Sequence, residues 1–234
     1  MANDTLKIIQ SIVGADLYAT TKKATNSKGA KTPLVTISRF YGAGSGDVSR
    51  LLAERLSVQF YDKDLLKAIV KDAKADKHLL NRLDERVINL ADELLHSFFS
   101  KKSTNKDSFL RYMAKVILGI GPSGGVIIGR GAHLILPKER TFRIRLEGSM
   151  QECVKRVAKR KSMKKSKAEK LIKKMNKERD SFQKDLAKRY PTSIDSYDIT
   201  LNTDSFTPQQ CVDIIVLAMR EVGFKIPPQS KKSA

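Results

Sequence analysis

Apolar positions along this chain recur with two alternating periods. Short runs of β-branched and apolar residues are followed by longer stretches in which apolar side chains return every three or four positions, as in strands interleaved with helices. Residues 1–20 place Leu6, Ile9, Ile12 and Val13 on one side of a helix, and TTKKATNSKGAKTP after them reads as a polar linker. LVTIS at 34–38 is a strand, a glycine-rich turn follows, and VSRLLAERL has helical spacing. VQFYDKDLL is a short second strand running into a mostly helical region over 63–120, relieved by the polar SKKSTNKDS. GGVIIGRGAHLIL and TFRIRLEG supply two more strands, and SMQECVKRVAKR is helical and basic. SKAEKLIKKMNKERDSFQKDLAKRY opens with a candidate capping box from Ser166 to Glu169. YDITLNT is a late strand. TPQQCVDIIVLAMREVG closes the pattern as an amphipathic helix with Thr207 at its N-cap, Pro208 at N1 and Gly223 beyond its end. Strands alternating with helices predict an α/β fold with a mostly parallel, doubly wound sheet.

Composition narrows the chemistry. The 234 residues carry 45 Lys and Arg against 25 Asp and Glu, a net of +20, which favours phosphate-bearing partners without choosing between nucleotides, nucleic acids and acidic surfaces. Residues 155–189 hold 16 Lys and Arg against four acids, so more than half of the excess charge lies in one short segment. No apolar run approaches the roughly 20 residues of a membrane span, and the N-terminus lacks a secretory pattern, so a cytoplasmic protein is expected. Cys153 and Cys211 sit in helical apolar patterns and read as core residues; with three histidines and no CxxC pair, neither a disulfide framework nor a zinc site is indicated. His78 and His133 read as packing or surface residues.

The turn RFYGAGSGD has the context of a phosphate loop. Gly42, Gly44 and Gly46 allow a tight turn, and the following helix aims N–H groups and a partial positive charge at an anion. The lysine is missing, however. Set on the pattern GxxxxGK followed by Ser or Thr, the chain has Arg39 at the first glycine, Ser45 at the lysine and Gly46 at the hydroxyl, with Asp47 next. These residues alone fit a ligand-free glycine turn equally well. Asp62 and Lys63 follow the second strand, where open α/β sheets bind ligands, although Asp62 or Asp64 also suits a helix N-cap before LLKAIV. Arg130, after a buried strand and Gly129, is costly to bury unless an anion or carboxylate meets it.

In combination, TISRFYGAGSG, FYDKDLL, VIIGRGAHLIL and YDITLNTD resemble the cytidylate kinase-like family, a variant branch of the P-loop nucleoside monophosphate kinases, over about residues 34–220. The resemblance implies a P-loop kinase-like domain over 34–224, with a helical acceptor-binding region at 63–120, a basic lid at 155–190 and a flexible tail at 225–234. It implies ATP and Mg²⁺ as cofactors and a nucleoside monophosphate, CMP or dCMP by family, as acceptor. Ser38, Gly42, Gly44, Ser45, Gly46, Asp47 and Arg156 would then hold the donor, with Asp47 as the metal ligand. Asp62, Lys63, Gly129 and Arg130 would bind the acceptor, and Arg39, Arg130 and Arg179 would stabilise the transferring phosphoryl group. The family usually carries a basic residue where this chain has Gly46, an aspartate at Gly131, and an Arg and Asp at Phe182 and Gln183. A catalytically weak nucleotide-binding or sensing module is the alternative those differences favour. Nucleic-acid binding through the basic segment is a third reading, although that segment has almost no aromatic residues for base stacking.

Overall fold

The computed structural model describes residues 32–75, 105–188 and 196–226. Five parallel strands form one sheet in the order β2-β3-β1-β4-β5: β1 is Leu34–Arg39, β2 Phe60–Tyr61, β3 Gly125–Ile128, β4 Phe142–Glu147 and β5 Ile199–Asn202. With β1 central, the chain winds to one edge through β2 and β3 and to the other through β4 and β5. The ends of β1 and β3 thus lie beside the place where the winding reverses, the ligand position of open α/β sheets.

Alternation along the strands sorts the helices. Val35 and Ile37 of β1, Val126 and Ile128 of β3, and Phe142, Ile144 and Leu146 of β4 pack against α1, Ser45–Leu56, and the closing helix α7, Pro208–Glu221. Ile127 turns to the opposite face, where it meets α2, Lys63–Ala75, α3, Asn105–Ile120, and the single turn α4, Ala132–Ile135. Fully burying each such aliphatic side chain contributes roughly 1.5–3 kcal/mol, which is why the two-residue period dictates which helix lands where. A third cluster lies beyond the strand ends. Ala43 of the glycine turn is buried there with Cys153, Val154 and Val157 of α5, Met150–Arg160, and Ala168 and Ile172 of α6, Lys165–Ala187.

Several expectations change at this level. The closing helix has the expected Thr207 N-cap, Pro208 at N1 and Gly223 at φ 92 after its end, and Gln210, beyond that expectation, completes a reciprocal capping box with Thr207. The box expected at Ser166 does not form: α6 begins at Lys165 behind Lys164, which caps nothing with its side chain, and Glu169 instead pairs with Lys173 at 2.6 Å. Helical i,i+4 spacing offers Glu169 a charged partner, which competes with the backbone amide a box would require. The strand expected through VIIGRGAHLIL stops at Ile128, and HLI is helical. Three successive positive φ values, 77 at Gly129, 58 at Arg130 and 67 at Gly131, turn the chain out of the sheet. Part of SKKSTNKDS, from Asn105 on, is helical. Both cysteines are fully buried, as their spacing suggests. Among the described residues no helix is long and apolar enough to cross a membrane. Residues 1–31, residues 76–104, which include His78, residues 189–195 and the tail from residue 227 lie outside the described residues.

Candidate functional site

The glycine turn leaves β1 at Arg39 and enters α1 through Gly44, whose φ of 63 serves as N-cap without any side-chain cap. The first amides of α1 are therefore left to an outside acceptor. In front of them opens a cleft of about 250 Å³, lined by Arg39 to Gly42, Gly44 to Gly46, Arg50, Phe60, Asp62, Lys63, Asp64, Ile128, Arg160 and Arg179. Gly42 and Gly44 do different work. Gly44 faces open space, whereas a Cβ on Gly42, at φ 98, would lie 2.8 Å from the Cβ of Cys153. The turn thus rests directly on α5.

Three arginines far apart in sequence meet beside this turn. Arg179 of α6 donates from Nη1 to the carbonyl of Arg39 at 3.1 Å, and its guanidinium lies 5.0 Å from the ring centroid of Tyr41. The Arg39 side chain runs over Gly129, where a Cβ would collide with its Nη1. Burial, and then the charges of Arg179 and Arg130, push the Arg39 guanidinium down to about 9. Burial also lowers Arg179, against the opposing pull of Tyr41 and Asp180, and lowers Arg130, against the opposing pull of Asp64. Arg130 Nη2 is buried and has no hydrogen-bond partner among the described residues. Clustered, partly desolvated cations with spare donors are matched to a multiply charged anion.

This cluster carries a testable sign. Without an anion, the depressed Arg39 opposes folding below about pH 9, an opposition that fades as pH rises above about 9. A bound anion restores the charged form, so its stabilisation is full below about 9 and fades above. Sulfate, dianionic throughout, is expected to raise Tm more at about pH 7 than at about pH 10, and Arg39→Met to remove that difference. Equal sulfate shifts in both proteins would contradict this.

The other sequence-predicted residues are distributed unevenly. Ser45, Gly46 and Lys63 line the cleft. Asp62 also lines it, but its Oδ1 accepts from the amides of Asp64 at 2.9 Å and Leu65 at 2.8 Å, so it caps α2 as well. Asp47 is exposed and absent from the lining. Ser38 is buried and lies 3.2 Å from Nδ1 of His133, whose Nε2 is 3.3 Å from the Tyr197 hydroxyl; His133 is thus a buried bridge behind the turn. Arg156 is held by Thr203 O at 2.8 Å and Asp204 at 3.0 Å, on the loop after β5 and outside the lining.

Arg50, Arg160, Asp64 and Asn176 were not singled out as site residues by sequence. Arg50 could have been found, since it stands one helical turn after Gly46; the others depend on how α2, α5 and α6 are placed. Two departures from the family pattern prove to be one packing event. A Cβ on Gly131 would collide with Leu186 of α6 and lie 3.5 Å from Phe182, so the glycine exists to let these apolar side chains close over the Arg130 turn.

Among solved structures, a crystal structure of an uncharacterized protein from Eubacterium ventriosum ATCC 27560 is similar, with a TM-score of 0.61 and 20% identity over 80% of this chain and 98% of that one. At this identity the likeness is one of fold. No curated protein matches the chain. The cytidylate kinase-like family profile, in contrast, matches residues 34–205, a span that includes the glycine turn, the Arg130 turn, α6 and β5. By that match, on a parallel α/β sheet with an arginine-ringed cleft at its strand ends, the chain belongs to the cytidylate kinase-like family.

Proposed function

We propose that the protein is an ATP-dependent phosphotransferase whose acceptor is a nucleoside monophosphate, CMP or dCMP being favoured by its family. The observation that carries this reading is the meeting of Arg39, Arg130 and Arg179 at the mouth of an uncapped glycine turn, with Arg130 Nη2 buried and unpaired. Phosphoryl transfer needs little covalent chemistry from a protein; it needs two phosphates held in line and charge placed where the transferring group develops it. The amides of Gly44 to Gly46 suit the donor phosphates. Arg130, next to Asp64 of α2, suits the acceptor phosphate, and Arg39, close to both Arg130 and Arg179, would add charge for the transferring group.

The residues fit a nucleotide better than they fit a protein-built metal cage. Among the described residues no group of three His, Cys, Asp or Glu is placed to hold a metal. Mg²⁺ commonly binds through one or two carboxylates together with phosphate oxygens and water, and Asp64, with Asp62, is the carboxylate available on the cleft. Bound there with the nucleotide, it would neutralise phosphate charge. Asp47 and Arg156 would act from outside the lining, Arg156 by fixing the loop after β5 against α5.

Nucleotide binding without turnover is the second reading, favoured by Ser45 and Gly46, which leave the two positions after Gly44 without a cationic side chain. Incubation with Mg-ATP and a panel of nucleoside monophosphates decides between them. Nucleoside diphosphate formation with at least one acceptor is expected. ATP binding with no product from any acceptor would move the protein to the second reading, and loss of both would overturn each.

A further inference from the structure

The basic helix α6 grips the glycine turn through its backbone. Asn176 Oδ1 accepts from the amide of Tyr41 at 2.8 Å, across 135 positions of sequence. One turn further along α6, Arg179 takes the carbonyl of Arg39. The two backbone groups on either side of Phe40, just past the end of β1, are thus satisfied by one helix face, while the Phe40 amide between them still donates to the carbonyl of Leu146 of β4 at 2.9 Å. The Tyr41 amide is a donor, so the orientation of the Asn176 side chain follows, with Nδ2 on the other side. That Nδ2 is buried and makes no hydrogen bond among the described residues. An asparagine that leaves half of its amide unsatisfied is a costly way to fill space, and its one accepted bond goes to the turn.

Apolar contacts bind the same parts together. Ala43 is buried against Val157, Ala168 and Ile172, so the first half of α6 is packed under the turn. Near its other end, Leu186 is buried over Gly131 beside Arg130. From Ala168 to Leu186 the helix extends about 27 Å and links the glycine turn to the Arg130 turn.

We propose that Asn176 is a positioning residue which holds the glycine turn in its anion-accepting shape, so that docking of α6 and nucleotide binding form one coupled equilibrium. The inference rests on the nucleotide reading above for its affinity consequence, while its structural half stands alone. Loss of the Asn176 bond frees the Tyr41 amide and lets the turn sample shapes in which its N–H groups do not converge. Binding must then reorder it.

The test combines amide hydrogen exchange over residues 40–46 with calorimetric titration of ATP, on the full chain and on Asn176→Ala and Asn176→Asp. Asn176→Ala is expected to speed exchange of the Tyr41 amide and weaken ATP binding about tenfold, the equivalent of one hydrogen bond. Asn176→Asp retains an acceptor for Tyr41 and is expected to keep parental exchange in the turn. Parental exchange in Asn176→Ala, or an equal rise in both variants, would overturn the proposal. So would a general loss of thermal stability in Asn176→Ala with ATP affinity unchanged, since that marks a purely structural side chain. If the parental protein binds no ATP, the nucleotide reading fails and exchange alone judges the turn.

Discussion

Replacing Arg130 with alanine is expected to lower kcat/KM for phosphoryl transfer by about 10³-fold while leaving Tm unchanged or slightly raised. The two halves of this expectation have one origin. Arg130 is held at φ 58 between two glycines, its guanidinium is lowered by burial, and Nη2 has no partner among the described residues. In the ligand-free protein that arrangement is a liability, because a partly buried cation opposed, among the described residues, by nearby Asp64 is poorly solvated. Removing it relieves the fold and disarms the site. Arg130→Lys keeps a charge but loses the planar fork that matches a phosphate, so its rate should fall between the two. Steady-state kinetics with Mg-ATP and the active acceptor, paired with thermal melts, would check this; a rate loss that follows a drop in Tm would mean that Arg130 is structural.

Gly42→Ala is expected to destabilise the protein by about 3 kcal/mol, and Gly44→Ala by about 1 kcal/mol. Both glycines have positive φ, 98 and 63, so each pays backbone strain on gaining a side chain. The difference is what stands behind them. Space beside Gly44 is open, whereas a Cβ on Gly42 would lie 2.8 Å from Cys153 Cβ, 3.0 Å from its carbonyl oxygen and 3.1 Å from its Cα. Those are not atoms that a rotamer change can move. The turn must lift from α5, which breaks the packing of Ala43 and slackens the grip of Asn176 and Arg179. Cys153→Ala should give no rescue, because the obstructing atoms survive it. Urea denaturation of the two glycine variants separates the cases, and similar losses in both would show that the turn does not rest on α5 as described.

How far the site could be read without coordinates depends on how local each feature is. The Thr207 cap, the burial of both cysteines and the helical spacing after the glycines all arise from residues within a few positions of one another. The Ser166 box was a reasonable local reading that failed because Glu169 had a second local partner in Lys173. Asp62 shows how a cap and a place on the cleft can coexist at one residue: helix geometry makes it a cap, and the strand end before it puts it in the cleft lining. Arg156 shows the opposite. The family resemblance implies a phosphate contact for it, whereas the loop after β5 delivers Thr203 and Asp204 to its guanidinium from 47 positions away or more.

By itself, then, the sequence determined that strands and helices alternate, where most of them lie, and that a glycine turn opens a helix after the first strand. These follow from periodicity, steric freedom at glycine and capping, all of which act over one or two turns of chain. Only the tertiary structure decided that Arg130 and Arg179 come close enough to Arg39 to depress it, that Leu186 and Phe182 require Gly131, and that Asn176 holds Tyr41. Each of these meetings depends on the strand order β2-β3-β1-β4-β5 and on the docking of α6 across the strand ends. Partners fifty or more residues apart leave no periodic trace in the chain, because nothing in local spacing records which strand will lie beside which.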